Sequence, residues 1–99
     1  MSLRELFDAT AKWGEDKGIN DPVMQYAKLN EEVGEIAHEL TRGNLKSDEM
    51  EDALGDTLVT LIILANILGY DLEDCLGGAY NVIKGRTGKT INGSFVKDN

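Results

Sequence analysis

Glu31, Glu32, Glu35 and Glu39 fall within nine residues, and Asp52 and Asp56 follow one helical turn apart. Carboxylate oxygens are hard ligands, so such a set suits magnesium, manganese or calcium and not zinc or copper. Lys28, Glu32, Glu35 and Glu39 recur at four-three-four spacing, which makes them one stripe on a helix. Exposed helix faces usually interleave charge signs at these spacings, because like charges one turn apart repel. Three glutamates relieved only by Lys28 leave a positive charge wanting. Asp52, Asp56, Val59, Ile63 and Asn66 form a corresponding stripe further on. Past Asp56 the chain is apolar nearly all round (Leu58, Val59, Leu61, Ile62, Ile63, Leu64), the mark of a helix buried on most faces. Asp56 is therefore expected at the edge of the core or inside it, where a carboxylate must be protonated, paired or bound to a metal. The competing reading is that Asp52 and Asp56 bridge to Lys28, Lys84 or Arg86.

Four helices are needed to position these groups. Ser2 with Glu5 reads as a capping box opening a first helix that ends at Gly18. Asp21-Pro22 opens a second, running to Arg42 and stopped by Gly43. Asp48 with Glu51 reads as the capping box of a third helix, which runs to Leu68 and stops at Gly69. Asp71 opens a fourth through Leu76, Tyr80, Ile83 and Lys84, weakened by Gly77 and Gly78. In the second helix Leu29, Val33, Ile36 and Leu40 make the expected buried face, with the acidic stripe roughly a quarter turn away. After Gly85, an Asn92-Gly93 turn between short β-prone pieces predicts a small hairpin. The fold class is all-α, a four-helix bundle-like arrangement with a short C-terminal hairpin or extended tail.

Ninety-nine residues make a single domain, 1–99, and a chain this short hides only about 60–65% of the surface it exposes when unfolded. Burial against further copies is accordingly expected. A net charge of −8 argues against a nucleic-acid partner, which needs clustered Lys and Arg. Cys75 is the only cysteine, which excludes an intramolecular disulfide and fits a reducing cytoplasm. The N-terminus has no apolar signal-peptide core, and Leu58–Leu68, interrupted by Thr60 and Asn66, is too short to span a bilayer. Gly85-Arg86-Thr87-Gly88-Lys89-Thr90 is not a P-loop, since its glycines stand three positions apart where five are required.

With these residues in place, the chain resembles the MazG-like all-alpha nucleoside triphosphate pyrophosphohydrolases. That family carries Glu-Glu-x-x-Glu on one helix and Glu-x-x-Asp on the next. Glu31-Glu32-Val33-Gly34-Glu35 supplies the first half, and Asp56 matches the aspartate of the second. Where the family has a glutamate three residues earlier, this chain has Ala53, preceded by Asp52. Asn81-Val82-Ile83-Lys84-Gly85-Arg86 resembles the Asn-x-x-Lys-x-Arg stretch by which relatives hold the phosphate chain. The resemblance covers about Trp13 to Lys97 and implies hydrolysis of a nucleoside triphosphate, ribo or deoxy, to monophosphate and pyrophosphate. It implies Mg2+, or Mn2+, held by Glu32, Glu35, Asp52 and Asp56, with Glu31 or Glu35 as general base. Lys28, Asn81, Lys84 and Arg86 would bind phosphate, and Trp13, Gln25 or Tyr80 would meet the base. Relatives form dimers or tetramers with sites at subunit interfaces, so a homodimer or homotetramer is implied here.

Two other readings fit parts of the pattern. Glu35-Ile36-Ala37-His38 is a Glu-x-x-His, as in carboxylate-bridged di-iron bundles, although His38 is the only histidine. The Ala53 departure also suits a non-catalytic helical module or an inactive family member.

Overall fold

The computed structural model describes residues 1–99, Met1 to Asn99. Four helices, α1 (Leu3–Asp16), α2 (Pro22–Thr41), α3 (Asp48–Ile67) and α4 (Leu72–Ile83), precede strands β1 (Gly88–Ile91) and β2 (Ser94–Lys97). The all-α class and the short hairpin are as the sequence leads one to expect.

Local signals set most boundaries. Ser2 and Glu5 form a reciprocal capping box on α1, and Asp21 accepts from the backbone N–H groups of Val23 and Met24 to cap α2. The third cap differs from expectation. Ser47, not Asp48, is the N-cap of α3, its hydroxyl accepting from Met50 N–H at 3.1 Å. Asp48, Glu49 and Glu51 instead occupy the first turn, where negative charge meets the positive end of the helix dipole. Despite Gly77 and Gly78, α4 is continuous over 12 residues. The hairpin pairs Gly88 with Lys97 and Ile91 with Ser94 in antiparallel register. Asn92 and Gly93 both take positive φ (52° and 81°), as a two-residue primed turn demands.

The central unit is the antiparallel hairpin of α2 and α3, the most extensive helix pair, with α1 packed on another face of α3. Gly14 makes the α1–α3 crossing close: a Cβ at that position would lie 3.0–3.3 Å from three side-chain carbons of Ile63. Between α2 and α3, the Gln25 side-chain amide donates to the Thr60 carbonyl at 3.2 Å. In an antiparallel pair, seven residues forward on one helix match seven back on the other. Glu32 therefore stands at about the level of Ala53.

The seam itself is displaced from the expected one. Its residues on α2 are Gln25, Leu29, Glu32, Ile36 and Glu39, whereas Val33 and Leu40 are 49% and 54% exposed. Gln25 and Glu39 each satisfy a polar end within it, Gln25 on Thr60 and Glu39 by accepting from Asn44 at 2.8 Å. This lets the seam rotate by about 50°, half of one residue's turn, away from the purely apolar stripe. Nor is α3 covered on most faces. Leu54, Leu58, Val59 and Asp56 are all exposed in the single chain.

Only 10 of the 99 residues are buried, and none of these lies on α4 or the hairpin. The radius of gyration is 16.0 Å, against about 13 Å for a close-packed chain of this length. The α3–α4 corner bends by 102°, and no single helix is long and apolar enough to cross a membrane.

Candidate active site

Counting at 100° per residue from the seam places Lys28, Glu31 and Glu35 on one flank of α2 and Tyr26, Val33, Ala37 and Leu40 on the other. On α3, whose seam runs through Met50, Ala53, Thr57, Thr60 and Leu64, Asp52 and Asp56 share one flank. Because the helices are antiparallel, these two acidic flanks face the same side of the hairpin. Glu32 lies in the seam between them, its side chain only 15% exposed. The small Ala53 opposite leaves the space that its chain occupies.

Lys28 is the cation held against this flank. Its ammonium lies 3.4 Å from Glu31 Oε2 and 3.6 Å from Glu32 Oε1. The hydrogen bond to Glu31 and the charges of Glu31 and Glu32 raise its pKa above the usual lysine range. Asp52 and Asp56 form no ion pair with Lys28, Lys84 or Arg86, which removes the bridging explanation for them. In the chain by itself no three acids converge closely enough to hold a metal ion. Glu35, Asp52 and Asp56 are exposed, so Asp56 is not at the edge of the core as expected. Its backbone carbonyl accepts from Thr60 Oγ1 at 2.7 Å, while its carboxylate takes part in no ion pair within the chain.

Beside this flank, Ala9, Thr10, Trp13 and Val59 line an open groove of about 330 Å³. Val59 is one residue short of a helical turn beyond Asp56 and belongs to the same stripe. Trp13 is half-exposed, with Lys17 Nζ 5.9 Å above its ring. Gln25, by contrast, is buried and committed to Thr60, so it does not face a nucleobase. Tyr80 is exposed on α4.

Asn81 and Lys84 travel outward on α4, and Arg86 follows in the turn before β1. From Asp56 to the end of α3 is roughly 16 Å, and α4 then runs roughly 18 Å near a right angle, so Lys84 sits roughly 24 Å from Asp56 in the same chain. One chain therefore joins the two acidic flanks and Trp13 but does not bring the basic stretch to them. His38 is exposed and rotated away from the seam, so the Glu35–His38 pair does not project into a bundle interior as a di-iron site requires.

Two cross-helix links had no local signature. Asn66 donates to Glu15 at 2.9 Å, and Arg4 Nη1 contacts both Asp71 oxygens at 3.0 and 2.8 Å. Arg4 and Asp8 stand one helical turn apart on α1, but Asp71 lies 67 residues from Arg4.

The fold is all-α, with carboxylates carried along one flank of its central helical hairpin. The family model for the MazG nucleotide pyrophosphohydrolase domain matches residues 22–90, and the chain belongs to that family. It is 33% identical over 66 residues to an uncharacterized 18.2 kDa protein from the rep-hol intergenic region of Haemophilus phage HP1, covering 64% of this chain and 39% of that one. It is also 33% identical over 66 residues to the YpjD protein of Bacillus subtilis, covering 59% of this chain and 60% of that one. The match thus spans about two fifths to three fifths of these relatives. Among solved structures, a Bacillus-conserved MazG protein, a nucleotide pyrophosphohydrolase, aligns with TM-score 0.75 and 27% identity over 88% of this chain and 94% of that one. The cyanophage S-2L MazG-like pyrophosphohydrolase, bound to dGDP and three catalytic Mn2+ ions per active site, shares the fold with TM-score 0.68 and 24% identity over 100% and 99% of the two chains.

Proposed function

We propose that this chain hydrolyses nucleoside triphosphates, ribo or deoxy, to the monophosphate and pyrophosphate in the presence of Mg2+ or Mn2+. The observation that carries the reading is the placement of two acidic flanks, Glu31 and Glu35 on α2 and Asp52 and Asp56 on α3, on one side of the hairpin with Glu32 between them. The donor set fits such a cation: carboxylates only, with no thiol or imidazole turned toward it. Glu32, Glu35 and Asp56 would hold it, and Asp52, one turn before Asp56, would stand in for the glutamate that Ala53 replaces. When bound, a divalent cation there supplies charge to the α- and β-phosphate oxygens and acidifies water.

The remaining work belongs to the chain. Glu31 and Glu35 are both exposed on one flank of α2, and one of them accepts the proton as water attacks the α-phosphorus and the bond to the β-phosphate oxygen breaks. Lys28, now paired with Glu31 and Glu32, would be the cation on this flank available to a phosphate oxygen. Trp13 offers a flat face beside Asp56 for the base. Asn81, Lys84 and Arg86 reach the phosphate tail from a second copy, because in their own chain they lie too far from the carboxylates. Coverage of α4 and the exposed flank of α2 by a homodimer or homotetramer meets the same need. The reading places the protein in the cytoplasm.

Incubation with a panel of canonical and modified nucleoside triphosphates and Mg2+ or Mn2+ tests this. Pyrophosphate release is expected from at least one, and Glu35→Gln and Asp56→Asn each abolish it while the circular-dichroism spectrum stays helical. No pyrophosphate from any substrate at neutral or alkaline pH would end the proposal.

A further inference from the structure

Among the helices, α4 is held least. It has no buried residue, and its main packing is on the end of α3. Of the side-chain hydrogen bonds that join different helices, Gln25–Thr60 ties α2 to α3 and Asn66–Glu15 ties α3 to α1. The one that reaches α4 comes from Arg4. Its guanidinium uses two edges at once. Nε and Nη2 face Asp8 on α1, while Nη1 sits 3.0 and 2.8 Å from the two oxygens of Asp71, the N-cap of α4. Glu73 Oε1 is 3.6 Å from the same nitrogen. Asp71 spends its Oδ1 also on the Glu73 backbone N–H, so the group that starts the helix is the group that Arg4 grips.

Gly69, with φ of 83°, ends α3, and beneath the pair lies a cleft of about 300 Å³ bounded by Phe7, Ile62, Asn66 and Tyr70. Leu72, which also lines this cleft, is the one α4 residue that is not exposed, so few side chains fix the angle at which α4 leaves. Arg4 and Asp71 are both partly open to water, so the contact adds little to global stability. Its leverage is directional. A small rotation at the N-terminus of a 12-residue helix is carried roughly 18 Å to Lys84 at the other end.

We propose that Arg4 is a positioning residue: by joining α1 to the Asp71 cap, it sets the direction in which α4 presents Asn81 and Lys84 to the triphosphate. This rests on the pyrophosphohydrolase reading for its substrate, but not for its geometry. Disturbing Arg4 moves the phosphate-holding arm while leaving the carboxylates of α2 and α3 in register, because Gln25 and Thr60 hold those independently.

The chain contains its own ruler. Trp13 on α1 is the only tryptophan and Cys75 on α4 the only cysteine, which is exposed. Energy transfer from Trp13 to a dansyl-type acceptor on Cys75, measured in labelled chains diluted with unlabelled ones, reports the α1–α4 separation within one chain. Arg4→Met is expected to broaden and shift that distance, to raise KM for the triphosphate about tenfold, and to leave kcat and Mn2+ affinity within twofold. Asp71→Asn keeps a capping oxygen but loses the charge, so it should match Arg4→Met, and the double variant should be no worse than either. Arg4→Lys, which keeps a cation toward Asp71 and gives up the second edge, should recover part of both effects. An unchanged Trp13–Cys75 distance in Arg4→Met, or a fall in kcat with KM unmoved, would overturn the proposal. If the parent protein releases no pyrophosphate at all, the functional reading fails, and the distance measurement still decides whether Arg4 holds α4.

Discussion

Restoring the family glutamate at Ala53 provides a sharp test of the site's geometry. Ala53 is 5% exposed and sits in the α2–α3 seam at about the level of Glu32. A glutamate there must either push α2 away or lay its carboxylate beside that of Glu32, whose only cation is Lys28 at 3.6 Å. Overpacking of a seam costs about 1–3 kcal/mol, and a second poorly solvated carboxylate adds to it. We therefore expect Ala53→Glu to lose about 2–4 kcal/mol in chelator, which for a chain of this length lowers Tm by roughly 10–20 °C. Mn2+ should return much of the loss, because the added carboxylate becomes a ligand and the bound ion stabilises the folded state by mass action. The assay is thermal unfolding by circular dichroism at one fixed protomer concentration, with EDTA and then with Mn2+. If the variant melts with the parent in EDTA, Ala53 is not enclosed and the register from Gln25–Thr60 is wrong. If it melts lower but Mn2+ restores nothing, Glu32 and position 53 do not face a common cation.

Three further outcomes follow from the packing and charges. Gly14→Ala should be nearly neutral in stability, since about 1 kcal/mol of helix propensity offsets a contact of 3.0 Å to Ile63 that a small shift relieves, whereas Gly14→Val should cost at least about 2 kcal/mol by separating α1 from α3. Gln25→Glu would turn a carboxylate toward the Thr60 carbonyl, costing about 1–3 kcal/mol at pH 8. Burial raises that carboxyl's folded pKa, so the loss should shrink as pH falls toward 5, and denaturant melts at the two pH values measure it. Asp71, held down by the Arg4 hydrogen bond, and Glu5, held down by its capping-box bonds to Ser2, both have folded pKa values below the ordinary carboxylate range. Their contribution is present above the unfolded pKa and disappears as pH falls through the folded one, so Asp71→Asn should flatten the stability profile below about pH 4.

Much of this molecule is written locally. Ser2-Glu5, Asp21-Pro22 and Asn92-Gly93 each satisfy their own backbone within three residues, so reading them requires no knowledge of the rest of the chain. The α3 cap was misplaced because Ser47 and Asp48 are both good capping residues and only the path from Asn44 decides between them. The seam was misplaced for a different reason. Apolar spacing selects Val33 and Leu40, but Gln25 and Glu39 find buried partners on Thr60 and Asn44, and those bonds turn α2. Partner identity at that distance has no periodicity. Asp56 was expected near the core because α3 is apolar on all sides, yet part of that apolar surface remains exposed in a single chain. A burial pattern in sequence does not say whether the cover comes from the same molecule.

The two flanks of α2 also bear on how such a protein can change. Charge lies along one side, through Lys28, Glu31 and Glu35, and aliphatic and aromatic surface along the other, through Tyr26, Val33 and Leu40. A substitution at Val33 or Leu40 alters what the chain will pack against without displacing a carboxylate, and one at Glu31 or Glu35 does the reverse. A single 20-residue helix thus keeps chemistry and association on separate tracks of the sequence, about two positions out of phase. Descendants of such a chain can exchange one assembly for another, or one substrate for another, a few residues at a time and without rebuilding the helix that serves both.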